Sequence, residues 1–269
     1  MNIISFLFCM LAGIGAGLAT GFAGLSAAVI ISPILIGIVG VGSYEAVGIA
    51  LASDVLASAA SSFTYYRNKN INIKNGAFMM VSAVLFSFAG SLLGSLVHNR
   101  FDVLMEYVPI AITLALGIRF LMHHDKESKP IFHFEGAVTR AIVSFVGGSL
   151  IGLCCGTVGA GGGMMILIML TMVLGYDLKT AVGTSVFIMT AVALTGAVSH
   201  VAFSAETMFS LYWHELLVCI LFTLLGAEVA ALIANKINHK QMNIITGVML
   251  LLIGLATLAG VFFGWNVSV

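Results

Sequence analysis

Gly152-Leu-Cys-Cys-Gly-Thr-Val-Gly-Ala-Gly-Gly-Gly-Met-Met165 lies between two apolar segments and carries glycine at 152, 156, 159, 161, 162 and 163. Each glycine inside a helix costs roughly 1 kcal/mol relative to alanine, so the run predicts a helix break. At membrane depth the backbone groups of a break must be covered by protein or line a wet cavity, because lipid cannot satisfy them. A cavity lined by bare amides binds ligands. The alternative, close helix contact through small residues, is disfavoured by six glycines within twelve positions.

The rest of the chain places this run in a bilayer. Of 269 residues, 60 % are hydrophobic and 8 % charged, with a mean hydropathy of +1.13; a soluble domain carries roughly 25 % charge. Apolar runs near the roughly 20 residues needed to span fall at 3–20, 46–66, 76–98, 103–122, 138–158, 180–203, 210–234 and 241–263. Two shorter stretches, 24–41 and 161–176, are either full spans or second arms of re-entrant hairpins. The first run has neither a basic region before it nor a polar cleavage region after it, so it reads as a retained span. The 11 basic and 11 acidic residues balance, and no basic patch suggests nucleic acid. Cys9, Cys154, Cys155 and Cys219 all lie in predicted spans, which argues against a disulfide framework. The polar stretch His123–His133 contains three histidines whose spacing fits no metal signature. No cofactor or metal is expected, and the stretch reads as a solvated connector.

A shift of 135 residues superposes the chain on itself without a gap. Gly13, Gly17, Leu18, Gly21, Gly24, Ile31, Leu35, Gly40, Ala46, Val47 and Gly48 meet Gly148, Gly152, Leu153, Gly156, Gly159, Ile166, Leu170, Gly175, Ala181, Val182 and Gly183, which is 11 identities over positions 13–48. The chain therefore divides into a first transmembrane repeat at 1–122, a polar cytoplasmic linker at 123–137 and a second transmembrane repeat at 138–269. Loops after odd-numbered segments hold ten lysines and arginines, from Arg67 to Lys240, whereas loops after even segments hold only Arg100. Basic residues in short loops stay on the cytoplasmic side, which predicts both termini outside. Each half crosses an odd number of times whether the short stretches span or fold back, so the halves are inverted relative to one another. The expected fold is all-α and polytopic, with two inverted-topology repeats of about five segments each (8–10 membrane segments). Gly-rich broken helices or re-entrant hairpins lie at the midplane, where such transporters bind substrate.

The candidate residues follow from that placement. Gly13, Gly17 and Gly21 recur every four residues and form a packing face. Ser26, Ala27 and Ala28 occupy the positions of Gly161, Gly162 and Gly163, and the half-helix after each break would turn free amides and a positive dipole end toward it. Pro33 should kink its helix or be covered by a neighbour. No lysine or arginine is predicted at membrane depth, so an anion would be met by amides near Gly24–Ala28 and Gly159–Gly163. Hydroxyls of Ser26, Ser53, Thr184 and Ser185 would assist. Asp54 and Glu228 are carboxyls inside spans, hence functional candidates: proton couplers, or acids held in structural hydrogen bonds. Asp54 has Met189 as its repeat counterpart, so the halves differ there. Cys154 and Cys155 precede the break as small apolar packers or, in a sulfur-handling site, as thiols of use. Trp213 and Trp265 fall at outer boundaries as interfacial anchors.

At these residues the chain resembles the sulfite exporter TauE/SafE family, also called the 4-toluene sulfonate uptake permease family. The likeness rests on Gly21-Phe-Ala-Gly24 with Ser26 and on Gly156-Thr-Val-Gly-Ala-Gly-Gly-Gly163. Each is followed about 20 residues later by an Ala-x-Gly stretch, Ala46-Val-Gly48 and Ala181-Val-Gly-Thr-Ser185, and a Tyr-Arg segment with a polar turn spans Tyr66 to Lys74. The resemblance covers nearly the whole chain. It implies a secondary permease of the cell (inner) membrane for small sulfur-containing or organic anions such as sulfite, sulfonates or sulfoacetate, driven by protons. The first half departs from the family pattern with Leu25-Ser-Ala-Ala28 in place of a fuller glycine run, and Ile168 stands where the second half would match Pro33.

On the residues alone the substrate-binding set is Gly24, Ser26, Ala27, Ser53, Gly159, Gly161, Gly162, Gly163, Thr184, Ser185 and Cys155, with Asp54 and Glu228 for protons. Three other readings use the same residues: a cation transporter with ionised Asp54 and Glu228, a membrane thiol enzyme using Cys154 or Cys155 as nucleophile, and a passive channel.

Overall fold

The computed structural model describes residues 2–97, 111, 114–115, 117–122, 136–158 and 162–262. Among them the chain is helical, with no strand. The helices are α1 (Ile3–Ala23), α2 (Ala28–Val39), α3 (Ser43–Arg67), α4 (Ile73–Val97), α5 (Ala137–Val158), α6 (Gly162–Val173), α7 (Leu178–Leu211), α8 (Trp213–Lys236) and α9 (His239–Phe262). Further helical turns lie within 111–122. Five helices among the described residues are long and apolar enough to cross a bilayer: α1, α3, α7, α8 and α9. The connector, the outer loop with Arg100, and Trp265 lie outside the described residues, whereas Trp213 is 44 % exposed at the start of α8.

The two shorter stretches resolve as helical arms. At 1.5 Å per residue, α2 and α6 reach only about 18 Å, short of the roughly 30 Å hydrocarbon core. Both finish in a π-helical turn, Leu35–Val39 and Met169–Val173. Gly40 and Gly175 then reverse the chain at positive φ (78° and 70°). Pro33 lies inside α2 and Ile168 inside α6, so the π turn does not depend on the proline.

The long glycine run is less broken than its composition predicts. Gly152 and Gly156 lie within α5, and Gly162 and Gly163 begin α6. Gly159 and Gly161 lie outside the described residues. Gly152 serves packing: a β-carbon there would run into the Ala83 backbone of α4. Likewise α7 continues through 204–209, where the hydropathy predicts a loop; that stretch holds no glycine or proline to stop it.

Among the described residues, the four most extensive helix interfaces, α4 with α5, α1 with α8, α3 with α7 and α3 with α8, each join an element before residue 122 to one that begins at residue 137 or later. Glycines explain why. Gly13, Gly17 and Gly21 of α1 press in turn on Cys219–Thr223, Thr223–Ala227 and Ala227–Ala231 of α8, so these helices run parallel. Gly148 and Gly152 of α5 press on Met79 to Ala83 of α4 in the same sense. Helices α3 and α7 run antiparallel, with Gly183 against Tyr65 and Asn70, and Gly196 against Leu51. Without a β-carbon the backbones approach closely enough for dispersion to replace the hydrophobic drive that lipid removes.

Candidate functional site

Helix α1 stops at Gly24, whose φ of 64° is left-handed. Its amide donates to Thr20 O at 2.9 Å and the next amide, of Leu25, to Ala19 O at 3.4 Å, and a β-carbon on Gly24 would meet the Ser185 side chain at 2.9 Å. The chain restarts as a helix at Ala28. A helix end in a membrane leaves carbonyls that water cannot reach, and here side chains satisfy them. The Thr20 hydroxyl donates to Leu25 O at 2.9 Å, Tyr65 to Gly21 O at 2.9 Å, Thr246 to Phe22 O at 3.1 Å and Ser185 to Gly24 O at 2.9 Å. The last three reach in from α3, α9 and α7.

The donors of the same break are left over. The Ser26 hydroxyl accepts from the Ala28 amide at 3.3 Å, which leaves its own proton to donate. Among the described residues, the amides of Ser26 and Ala27 find no backbone acceptor. Asp54 of α3 faces this spot and is fully buried. The Ser26 hydroxyl and the Ala27 amide lie nearest its carboxyl, yet neither oxygen reaches hydrogen-bond geometry with any partner. A buried break with spare donors beside an unpaired carboxyl is equipped to hold negative oxygen.

The second half meets the first here. A β-carbon on Gly163 would lie 2.5 Å from Gly24 O, 2.8 Å from Leu25 Cα and 2.8 Å from Ser26 N. Ser185 spans both arms, since its hydroxyl also lies 3.4 Å from Gly163 O. Gly162 abuts the Cys155 sulfur, and Met189 Sδ would be 3.5 Å from a β-carbon there. Thus Asp54 stands by the first break and its repeat counterpart Met189 by the start of α6.

Other candidates lie elsewhere. Thr184 is buried but accepts from the Asn72 amide at 3.0 Å, at the start of α4. Ser53 turns back on its own helix to Ile49 O at 2.8 Å. Glu228 accepts from Thr64 at 2.9 Å in the α3–α8 interface, ten residues or about 15 Å along α3 from Asp54. Cys9, Cys155 and Cys219 form no disulfide, and the side chain of Cys154 lies outside the described residues. No group of three or more metal ligands occurs among the described residues. The residues sequence reasoning missed are Thr20, Tyr65 and Thr246; polar hydroxyls inside spans were the available signal, but their long-range partners were not.

The family profile described as "Sulfite exporter TauE/SafE" matches residues 9–257. The chain is 24 % identical over 272 residues to a Bacillus subtilis (strain 168) protein described as "Probable membrane transporter protein YunE", covering 93 % of this chain and 96 % of that one. It is also 26 % identical over 188 residues to "Probable membrane transporter protein YdhB" of the same organism, covering 69 % and 74 %.

Proposed function

Because the chain belongs to the sulfite exporter TauE/SafE family, a family of membrane transporters and not enzymes, we propose that it is a proton-coupled secondary permease for small sulfur-containing or organic anions such as sulfite, sulfonates or sulfoacetate. The substrate sits where Gly24–Ala27 meets Gly162–Gly163 under Ser185. One observation carries the reading: the Gly21, Phe22 and Gly24 carbonyls of the first break accept from hydroxyls of three other helices, while among the described residues the Ser26 and Ala27 donors remain. An oxyanion takes up such donors, and charge-assisted hydrogen bonds are roughly twice as strong as neutral ones. Cys155 lines the α6 side of the seat.

Two inverted halves supply the alternating access. The antiparallel run of α3 and α7, and the exchange of partners in α1 with α8 and α5 with α4, support that arrangement. The bias of basic loop residues supports both termini outside. Asp54 is the coupling acid at the break, with Glu228 a second carboxyl nearer the inner end of α3. The test is uptake of sulfite, thiosulfate and an organosulfonate into proteoliposomes with and without an imposed pH gradient. Accumulation that depends on the gradient supports the reading. Transport of cations alone assigns Asp54 and Glu228 to a cation path instead, and flux indifferent to the gradient makes the protein a passive channel.

A further inference from the structure

We infer that Asp54 is itself the resident occupant of the anion seat, so that substrate and the ionised Asp54 carboxylate compete for the same donors. This rests on the permease reading above and adds how the proton is coupled. The donors that the first break leaves over, the Ser26 hydroxyl and the Ala27 amide, lie beside the fully buried Asp54 carboxyl, whose oxygens have no hydrogen-bond partner among the described residues. Carboxylate and sulfur oxyanion ask for the same hydrogen-bond donors, and two like charges in one buried place exclude each other. An anion therefore enters after a proton neutralises Asp54 and leaves the donors to the substrate.

No other charged group intervenes among the described residues. Helix α2 carries none. Helix α1 offers only Cys9, which lies by Cys219 and Glu215 of α8. Helix α7 brings Lys179 near its start, where the amine donates to Asn235 O and Ile237 O, with Asp177 just ahead of it bonded to the Thr180 amide. Helix α8 brings Glu228, held by Thr64, and has His214 and Lys236 at its ends. The remaining titratable groups of α3, Tyr44, Glu45, Tyr65, Tyr66 and Arg67, lie in its first and last turns. Among the described residues Asp54 is the carboxyl beside the seat, and the Cys155 thiol borders it against Gly162.

The cycle balances as follows. One proton binds the Asp54 carboxylate, one anion takes the donors, both cross the seat together, and both leave before the carboxylate returns. A monovalent sulfonate then moves without net charge, whereas a divalent anion carries one net negative charge. Met189 at the counterpart position holds no second proton.

The experiment is calorimetric binding of methanesulfonate and thiosulfate, neither of which titrates in the neutral range, to the full-length protein in nanodiscs across a pH series. Wild-type affinity is expected to fall about tenfold per pH unit once Asp54 is ionised. Asp54→Asn, which cannot ionise, is expected to bind with affinity independent of pH. Ser26→Ala, which removes a shared donor but keeps the acid, is expected to bind about fivefold to tenfold more weakly with the wild-type slope, and it serves if the Asn variant fails to fold. A wild-type affinity indifferent to pH, an Asn variant that keeps the slope, or unchanged affinity in Ser26→Ala overturns the inference while leaving a permease. If neither anion binds wild type at any pH, the sulfur-anion reading fails and the inference with it.

Discussion

Replacing Gly163 with alanine tests whether the two breaks form one seat. The added β-carbon would stand 2.5 Å from Gly24 O, 2.8 Å from Leu25 Cα and 2.8 Å from Ser26 N, all backbone atoms, so no side chain can swing aside. Restoring ordinary contact at 3.4 Å requires one arm to retreat by 0.6 to 0.9 Å, the difference between 3.4 Å and these distances. Overpacking of this kind costs about 1–3 kcal/mol, and alanine in place of helical glycine returns about 1 kcal/mol. The net loss, about 0–2 kcal/mol by these terms, leaves a folded protein. The retreat nevertheless displaces the Ser26 amide and the 2.9 Å bond from Ser185 to Gly24 O. Losing about 1.4 kcal/mol of seat energy lowers affinity tenfold. The assay is thiosulfate and methanesulfonate uptake into proteoliposomes, with thermal melting in detergent to confirm folding. Gly162→Ala is the comparison, because its β-carbon runs into the Cys155 sulfur, a side-chain end that can rotate. Gly163→Ala should lose about tenfold or more in uptake at low substrate, and Gly162→Ala should lose much less. Equal activity of Gly163→Ala and wild type, with unchanged melting, refutes a shared seat.

Tyr65→Phe removes only the hydroxyl that satisfies Gly21 O; an unpaired buried carbonyl costs about 1–3 kcal/mol, so melting in detergent should fall, and an unchanged transition would mean another donor replaces it. Glu228→Gln keeps an acceptor for Thr64, so proton-dependent uptake should survive; its loss would move coupling from Asp54 to Glu228. Serine at Cys154 and Cys155 together should retain substantial flux, whereas a thiol-dependent step would abolish it. In wild type, a bulky thiol reagent on Cys155 should block uptake, because that sulfur lies against Gly162.

Much of the helical frame was written in the period of 135. Adding it to α1 (Ile3–Ala23) gives 138–158 against an observed Ala137–Val158, and adding it to the start of α3 gives the start of α7 at Leu178. Local signals carried this, since hydropathy and glycine spacing act within a segment. They could not say that the Gly13, Gly17 and Gly21 face would close on α8 in the other half, because a smooth face does not name its partner. Adjacent polar pairs were also over-read. Successive helix residues point about 100° apart, so Thr184 and Ser185 divide between Asn72 and Gly24. Asp54 was legible from cost alone. Its lack of a hydrogen-bond partner among the described residues was not, since that depends on how Ser26 and Ala27, in the break between α1 and α2, come to face it.

On the permease reading, the sign of the selected charge is decided by hydroxyls that occupy carbonyls, not by a basic side chain. A helix broken in a bilayer offers carbonyl oxygens and amide hydrogens together, and left alone such a break would suit a cation as well as an anion. Here the carbonyls of Gly21, Phe22, Gly24 and Leu25 are each occupied by a hydroxyl, from Tyr65, Thr246, Ser185 and Thr20. What the break still offers is donors, and the one acid aimed at them can be silenced by a proton. Selectivity for negative charge then needs no lysine or arginine at membrane depth, where either would be costly. It needs only that the acceptors be used up from behind, by hydroxyls on three neighbouring helices and one on α1 itself.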